Sequence, residues 1–136
     1  MGDGEKLRTG MEAVARHSGV FLMPPGTAVE TDGSSAPFEL GAMAGRQLLI
    51  VLRVEKTIEQ ESLDVSLWGS EDGAAWGVAP LFRFPQVFYR GVTPAALNLT
   101  EQPQIKFLQA QWEVNRWGRG SPRPLFVMSV EVRELD

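Results

Sequence analysis

Alternation of apolar and polar side chains runs through several stretches of this chain and predicts β-strands. Residues 63–68, 104–115 and 125–134 each place an apolar side chain at every second position, as a half-buried strand requires. The predicted inward positions are Leu63, Val65, Leu67, Leu108, Ala110, Trp112, Val114, Phe126, Met128, Val130 and Val132. Residues 47–54 are apolar on both faces, which is typical of a central strand covered on both sides. We expect residues 63–69 to run back antiparallel to it.

Turn-forming residues separate these stretches. Pro24, Pro25 and Gly26 are predicted to end a first strand at residues 19–23, and Pro85 divides an edge segment over residues 81–89. We interpret residues 55–62 as a charged loop and residues 91–102 as a long connection across one end. Short strands between frequent turns predict an all-β fold, an antiparallel β-sandwich or jelly roll of about seven to nine strands.

The length of 136 residues indicates one domain. We assign residues 19–136 to a single β-sandwich domain and residues 1–18 to a mobile N-terminal arm. Within that arm, Leu7, Met11, Val14 and Ala15 are spaced for one face of a short amphipathic helix. The alternatives for the arm are a frayed terminus and a segment that packs on a neighbouring subunit.

Charge and composition limit the partners. Seventeen acidic and 13 basic residues give a net charge of −4, which disfavours binding to nucleic acid through phosphates. The apolar runs are too short for a signal peptide or a membrane span, so we expect a soluble protein, cytoplasmic or particle-associated, without membrane insertion. The absence of cysteine excludes disulfides and thiolate metal sites.

The segment at residues 63–76 carries a family resemblance. A strand followed by Gly69-Ser70-Glu71-Asp72-Gly73 and then Trp76, after the extended run at residues 38–54, is similar to β-sandwich accessory and structural proteins of tailed bacteriophages. It also resembles discoidin-like jelly-roll modules, and a closing strand at residues 125–132 extends the resemblance. The first family implies a structural role in a particle. The second implies ligand binding by end loops.

Catalytic chemistry finds little support in the residues. His17 is the one histidine, and no Gly-x-Ser-x-Gly motif presents a serine nucleophile. The carboxylates that a glycoside hydrolase would need are interpreted as surface charges and turn formers; the candidates are Asp64, Glu71, Asp72 and Glu113. We therefore expect no enzyme activity and no cofactor.

A weak calcium site is a further alternative, because loops at one end of a sandwich can supply several oxygen ligands. Its ligands would be Asp32, Glu71 and Asp72. No Asp-x-Asp-x-Asp pattern is present, and turn chemistry alone accounts for these residues.

The loop at residues 115–124 is the strongest candidate for a binding or interface site. It combines flexible glycines with Arg116, Trp117, Arg119 and Arg123. Arginine and tryptophan are enriched at energetically important protein contacts, and both also stack on sugar rings or bases. Three interpretations remain open: a subunit or partner contact, a structural corner, and a small-ligand site. The aromatic residues Phe82, Phe84, Phe88 and Tyr89 could extend the surface, but we expect alternate members of this set to lie in the core.

These observations favour a non-enzymatic structural protein that self-associates or attaches to a larger particle, with a homo-oligomer or larger protein assembly as partner. The alternative, implied by the discoidin-like resemblance, is a carbohydrate- or ligand-binding module with a glycan as partner. Its end loops would use Arg116, Trp117 and Arg119, together with Trp76.

Overall fold

The computed structural model describes residues 19–119 and 123–135, and this part of the chain forms nine strands in two antiparallel sheets. A three-residue 3-10 helix, Gly41–Met43, lies between the third and fourth strands. The strands are β1 (Val20–Val29), β2 (Gly33–Ser34), β3 (Phe38–Glu39), β4 (Gln47–Thr57), β5 (Glu61–Ser70), β6 (Phe82–Arg83), β7 (Gly91–Asn98), β8 (Phe107–Arg116) and β9 (Phe126–Glu134).

The strand order is that of a jelly roll. One sheet has the order β1-β9-β4-β7 and the other has the order β2-β8-β5-β6, with β3 pairing with β8 on the same side as β2. If β2 and β3 are taken as one interrupted strand, each sheet has four strands, and chain crossings between the sheets link them. The predicted all-β sandwich is therefore confirmed.

The predicted arm at residues 1–18, with its short helix, lies outside the described residues. Within residues 19–119 and 123–135, no helix is long and apolar enough to cross a membrane.

The core lies between the two sheets and is built from the alternating positions of the long strands. The predicted inward residues of β5, β8 and β9 pack there, and β4 adds Leu48, Ile50, Leu52 and Val54. Phe126, at the start of β9, is the largest fully buried side chain described. Burying such a side chain contributes about 1.5–3 kcal/mol to folding, so this interior supplies the main stabilisation.

The prediction of a long connection at residues 91–102 was wrong. Residues Gly91–Asn98 form β7, which pairs with β4 along its whole length, and Pro94 lies opposite Val51. Because β7 is an edge strand, its proline does not interrupt a second ladder. The same principle applies to β1, which continues past Pro24 and Pro25 as an edge strand with a register shift between Met23 and Thr27.

The expected pairing of residues 47–54 with residues 63–69 was also wrong. β4 pairs with β7 and β9, whereas β5 pairs with β8 and β6 in the opposite sheet. The segment at residues 55–62 is mostly strand, since β4 extends to Thr57 and β5 begins at Glu61. The β4–β5 connection is thereby reduced to residues 58–60, at one end of the sandwich.

Candidate functional site

Three large aromatic side chains meet at the end of the sandwich where β4 passes into β5. Phe88 and Tyr89 come from the connection before β7, and Trp117 follows β8. The Phe88 ring centroid lies 6.3 Å from that of Tyr89 and 6.3 Å from that of Trp117. Their exposed fractions are 40%, 79% and 59%, respectively. We call these three residues the aromatic end.

Backbone hydrogen bonds hold the chain at Val87, immediately before Phe88, and at Trp117. Leu63 and Val87 exchange two N–H···O bonds of 2.9 Å, so the chain is held to β5 immediately before Phe88. The Trp117 amide donates to the Gln60 carbonyl over 3.0 Å, which places the indole beside the β4–β5 connection. The aromatic residues therefore project from points attached to the sheets.

A cleft of about 450 Å³ lies between the aromatic end and the β4–β5 connection. Its lining consists of residues 57–61 together with the three aromatic side chains. Gln60 adopts a φ of 60°, a left-handed conformation that is uncommon for a residue with a side chain. A Cβ at Gly118 would lie 3.0 Å from the Gln60 Cβ, so the loop passes Gln60 closely because position 118 has no side chain.

Glu61 is the buried carboxylate that orders this region, with 1% of its surface exposed. One carboxylate oxygen accepts a 2.8 Å hydrogen bond from the Ile58 amide and another from the Thr57 hydroxyl. The other oxygen accepts a 2.7 Å bond from the Leu125 amide. These bonds satisfy a charge that would be costly to bury alone, and they join the β4–β5 connection to the start of β9.

The arginines of the predicted interface loop have local partners. Arg116 donates to the Glu59 carbonyl and, over 3.0 Å, to the Arg119 carbonyl. Arg123 forms a 3.6 Å ion pair with Glu30. Among the predicted loop residues, Trp117 is brought to the aromatic end and Arg119 remains exposed beside it. Trp76 lines a different cleft with Glu71 and Asp72, so it does not join this surface.

The carboxylates proposed as calcium ligands are not brought into one cluster. Asp32 accepts a 2.8 Å hydrogen bond from the Val114 amide. Asp72 accepts bonds from the Ala75, Ala74 and Ser70 donors, and these lower its pKa from 3.8 to about 2. Over the described ranges, no group of three or more histidine or acidic side chains is arranged to hold a metal ion.

The carboxylates considered for hydrolysis divide into two places. Asp64 and Glu113 lie directly opposite each other on β5 and β8, whereas Glu71 and Asp72 follow the far end of β5. The alternating sequence pattern was enough to predict that Asp64 and Glu113 face outward. That the two side chains lie opposite each other follows only from the register of β5 with β8. The role of Glu61 was missed, because its partners include an amide 64 positions later in the chain.

Comparisons with known proteins identify no family and no curated relative for this chain: the sequence matches no protein-family model, and no curated protein matches it. Among solved structures, it is similar to a chain in the cryo-EM structure of broad bean stain virus, with a TM-score of 0.37 and 7% sequence identity. The match covers 88% of this chain and 58% of that chain. The jelly-roll assignment rests on the strand order of this protein itself.

Proposed function

We propose that this chain is a non-enzymatic structural β-sandwich that associates with a second copy of itself through the aromatic end. The observation that carries the proposal is the joint exposure of Phe88, Tyr89 and Trp117 on anchored backbone. Large aromatic side chains are enriched at the centres of protein interfaces, where partners remove them from water. Grouped exposure of this kind is uncommon on proteins that act alone.

The charges around the aromatic end suit a self-complementary contact. Glu59 and Arg119 are both exposed there, and their backbone carbonyls accept hydrogen bonds from the same Arg116 guanidinium. In a two-fold symmetric dimer, each surface meets its own copy, so the acidic and basic side chains of one protomer can pair with those of the other. Such rim pairs direct association, while the aromatic residues supply most of the affinity.

The test is the native mass of the full chain by light scattering across a concentration series. We expect the wild-type protein to show twice the 15.0 kDa chain mass at high concentration. The Tyr89→Ala/Trp117→Ala double variant should dissociate at concentrations at least several hundred-fold higher, because two interfacial aromatic residues at about 2 kcal/mol each contribute about 4 kcal/mol.

Trp76→Ala is the matched control, since Trp76 lines the cleft at the opposite end of β5. This variant should associate as the wild type does, and circular dichroism should show that all variants remain folded. A wild-type protein that stays at 15.0 kDa at every concentration would refute self-association through this surface.

A further inference from the structure

A second cleft, of about 530 Å³, lies on the outer face of the β2-β8-β5-β6 sheet and shares no lining residue with the aromatic end. Outward-facing residues of β5 and β8 form its floor. Asp32 and Gly33 border it on one side, and Arg83 and Phe84 border it on the other. We call this cleft the sheet groove.

Strand register arranges the floor of the sheet groove in successive rows. Asp64 lies opposite Glu113 in one row. Ser66 lies between Arg83 of β6 and Gln111 of β8 in the next row. Trp68 stands two positions further along β5. From Asp64 to Trp68 the strand extends about 14 Å, so the groove is long enough for several linked rings.

Trp68 lines the sheet groove with a partly exposed indole. Its indole N–H donates to the Ser66 hydroxyl over 2.9 Å, which fixes the ring along the strand and uses its polar atom. With its only polar atom paired, the indole offers the groove a flat, apolar ring face. Such a face suits stacking against the apolar C–H face of a sugar ring.

The polar groups around Trp68 retain unused hydrogen-bonding capacity. Asp64 accepts one 2.9 Å bond from Gln86, through one of its two oxygens. The Gln111 amide nitrogen donates to Gln109 over 3.0 Å, which leaves its carbonyl oxygen as an acceptor. Within residues 19–119 and 123–135, the side chains of Arg83 and Glu113 have no hydrogen bond or ion pair. The groove therefore offers both acceptors and donors to a ligand rich in hydroxyl groups.

The charge of the sheet groove selects against anions. Its lining carries three carboxylates, Asp32, Asp64 and Glu113, against the single guanidinium of Arg83. A phosphate, sulfate or uronate would meet net repulsion, whereas neutral hydroxyl groups donate well to carboxylates. Adjacent hydroxyl groups on a sugar ring can donate to the carboxylates and accept from Arg83.

We infer that the sheet groove binds a neutral oligosaccharide, with Trp68 as the stacking platform and with Glu113, Asp64 and Arg83 as the polar contacts. This glycan site lies on the sheet face, away from the end loops that sequence patterns favour. It is independent of the aromatic end, so the protein can bind a glycan whether or not it associates with a second copy.

The experiment is calorimetric titration of the full chain with neutral hexaoses of the cello-, xylo-, manno- and malto- series, with heparin and polylysine as charged counterparts. We expect at least one neutral hexaose to bind and heparin not to bind. Trp68→Ala and Glu113→Gln should each weaken that binding about tenfold, because each removes a stacking face or a charge-assisted acceptor.

Glu113→Gln and one further variant separate binding from folding and from self-association. Glu113 is exposed, so Glu113→Gln tests the site without disturbing the core. Trp117→Ala is the matched tryptophan control and should bind the hexaose with unchanged affinity. The inference would be overturned if no neutral hexaose bound at millimolar concentration, if only heparin or polylysine bound, or if Trp117→Ala weakened binding as much as Trp68→Ala. None of these results depends on the native mass of the protein.

Discussion

At the scale of single residues, Glu61 determines whether the β4–β5 connection stays in place. Glu61→Ala would leave the partly buried amides of Ile58 and Leu125 without this acceptor, so we expect a loss of about 2–4 kcal/mol in unfolding free energy. Urea unfolding measures this loss. Glu59→Ala, at an exposed neighbouring position, should change stability by less than about 0.5 kcal/mol. Equal effects at the two positions would contradict the assigned role.

Asp72 gives the protein a pH dependence of known sign. Its folded pKa of about 2 lies below the ordinary value of 3.8, because backbone amides and Ser70 donate to the charged carboxylate. Its stabilising contribution is therefore complete above about pH 4 and is lost as the pH falls through about 2.

The stability of Asp72→Asn should fall less than that of the wild type between pH 4 and pH 2. Denaturant unfolding at several pH values measures the difference, and comparison of the two proteins cancels the other carboxylates. Parallel pH profiles would exclude a stabilising role for the charged form of Asp72. A carboxylate titration followed by NMR provides the direct check on its pKa.

At the scale of elements, the segment that leaves β7 closes one side of the core. Leu99 is fully buried, and its amide donates to the Arg46 carbonyl over 3.0 Å. Leu99→Ala should reduce the unfolding free energy by about 2–5 kcal/mol, since it leaves a cavity. Val92→Ala, near the start of β7 and 51% exposed, should be nearly neutral. Guanidinium unfolding of both variants tests this, and a neutral Leu99→Ala would show that the site collapses without cost.

Some elements were predictable because their local pattern matches their environment. β8 and β9 alternate cleanly, each with one face on the core, so sequence alone located them within a few residues. β7 was missed because Pro94 and its small neighbours resemble a loop, and only its edge position makes the proline harmless. The β1 segment beyond Pro24 was missed for the same reason.

At the scale of the whole molecule, the fold class followed from local alternation, but the pairing of strands did not. β4 and β5 are consecutive in the sequence and each has an apolar face, which suggested that they pair. They belong to different sheets. That choice depends on contacts such as the β5–β8 ladder, whose paired residues are far apart in the chain. The candidate sites show the same division. Trp117 was identifiable by chemistry, whereas the Asp64–Glu113 pair and the partners of Glu61 depend on register.

The pairing of β1 with β9 places Gly19 and the aromatic end at opposite ends of one sheet. Val20 lies opposite Val132, and the Gly19 amide donates to Glu131 over 3.1 Å, so the two ends of the described chain are neighbours. Phe126, at the other end of β9, pairs with Thr57 of β4, next to the aromatic end. A protein coupled to a surface through residues next to Gly19 or Arg133 would therefore stand upright, with Phe88, Tyr89 and Trp117 facing the solution.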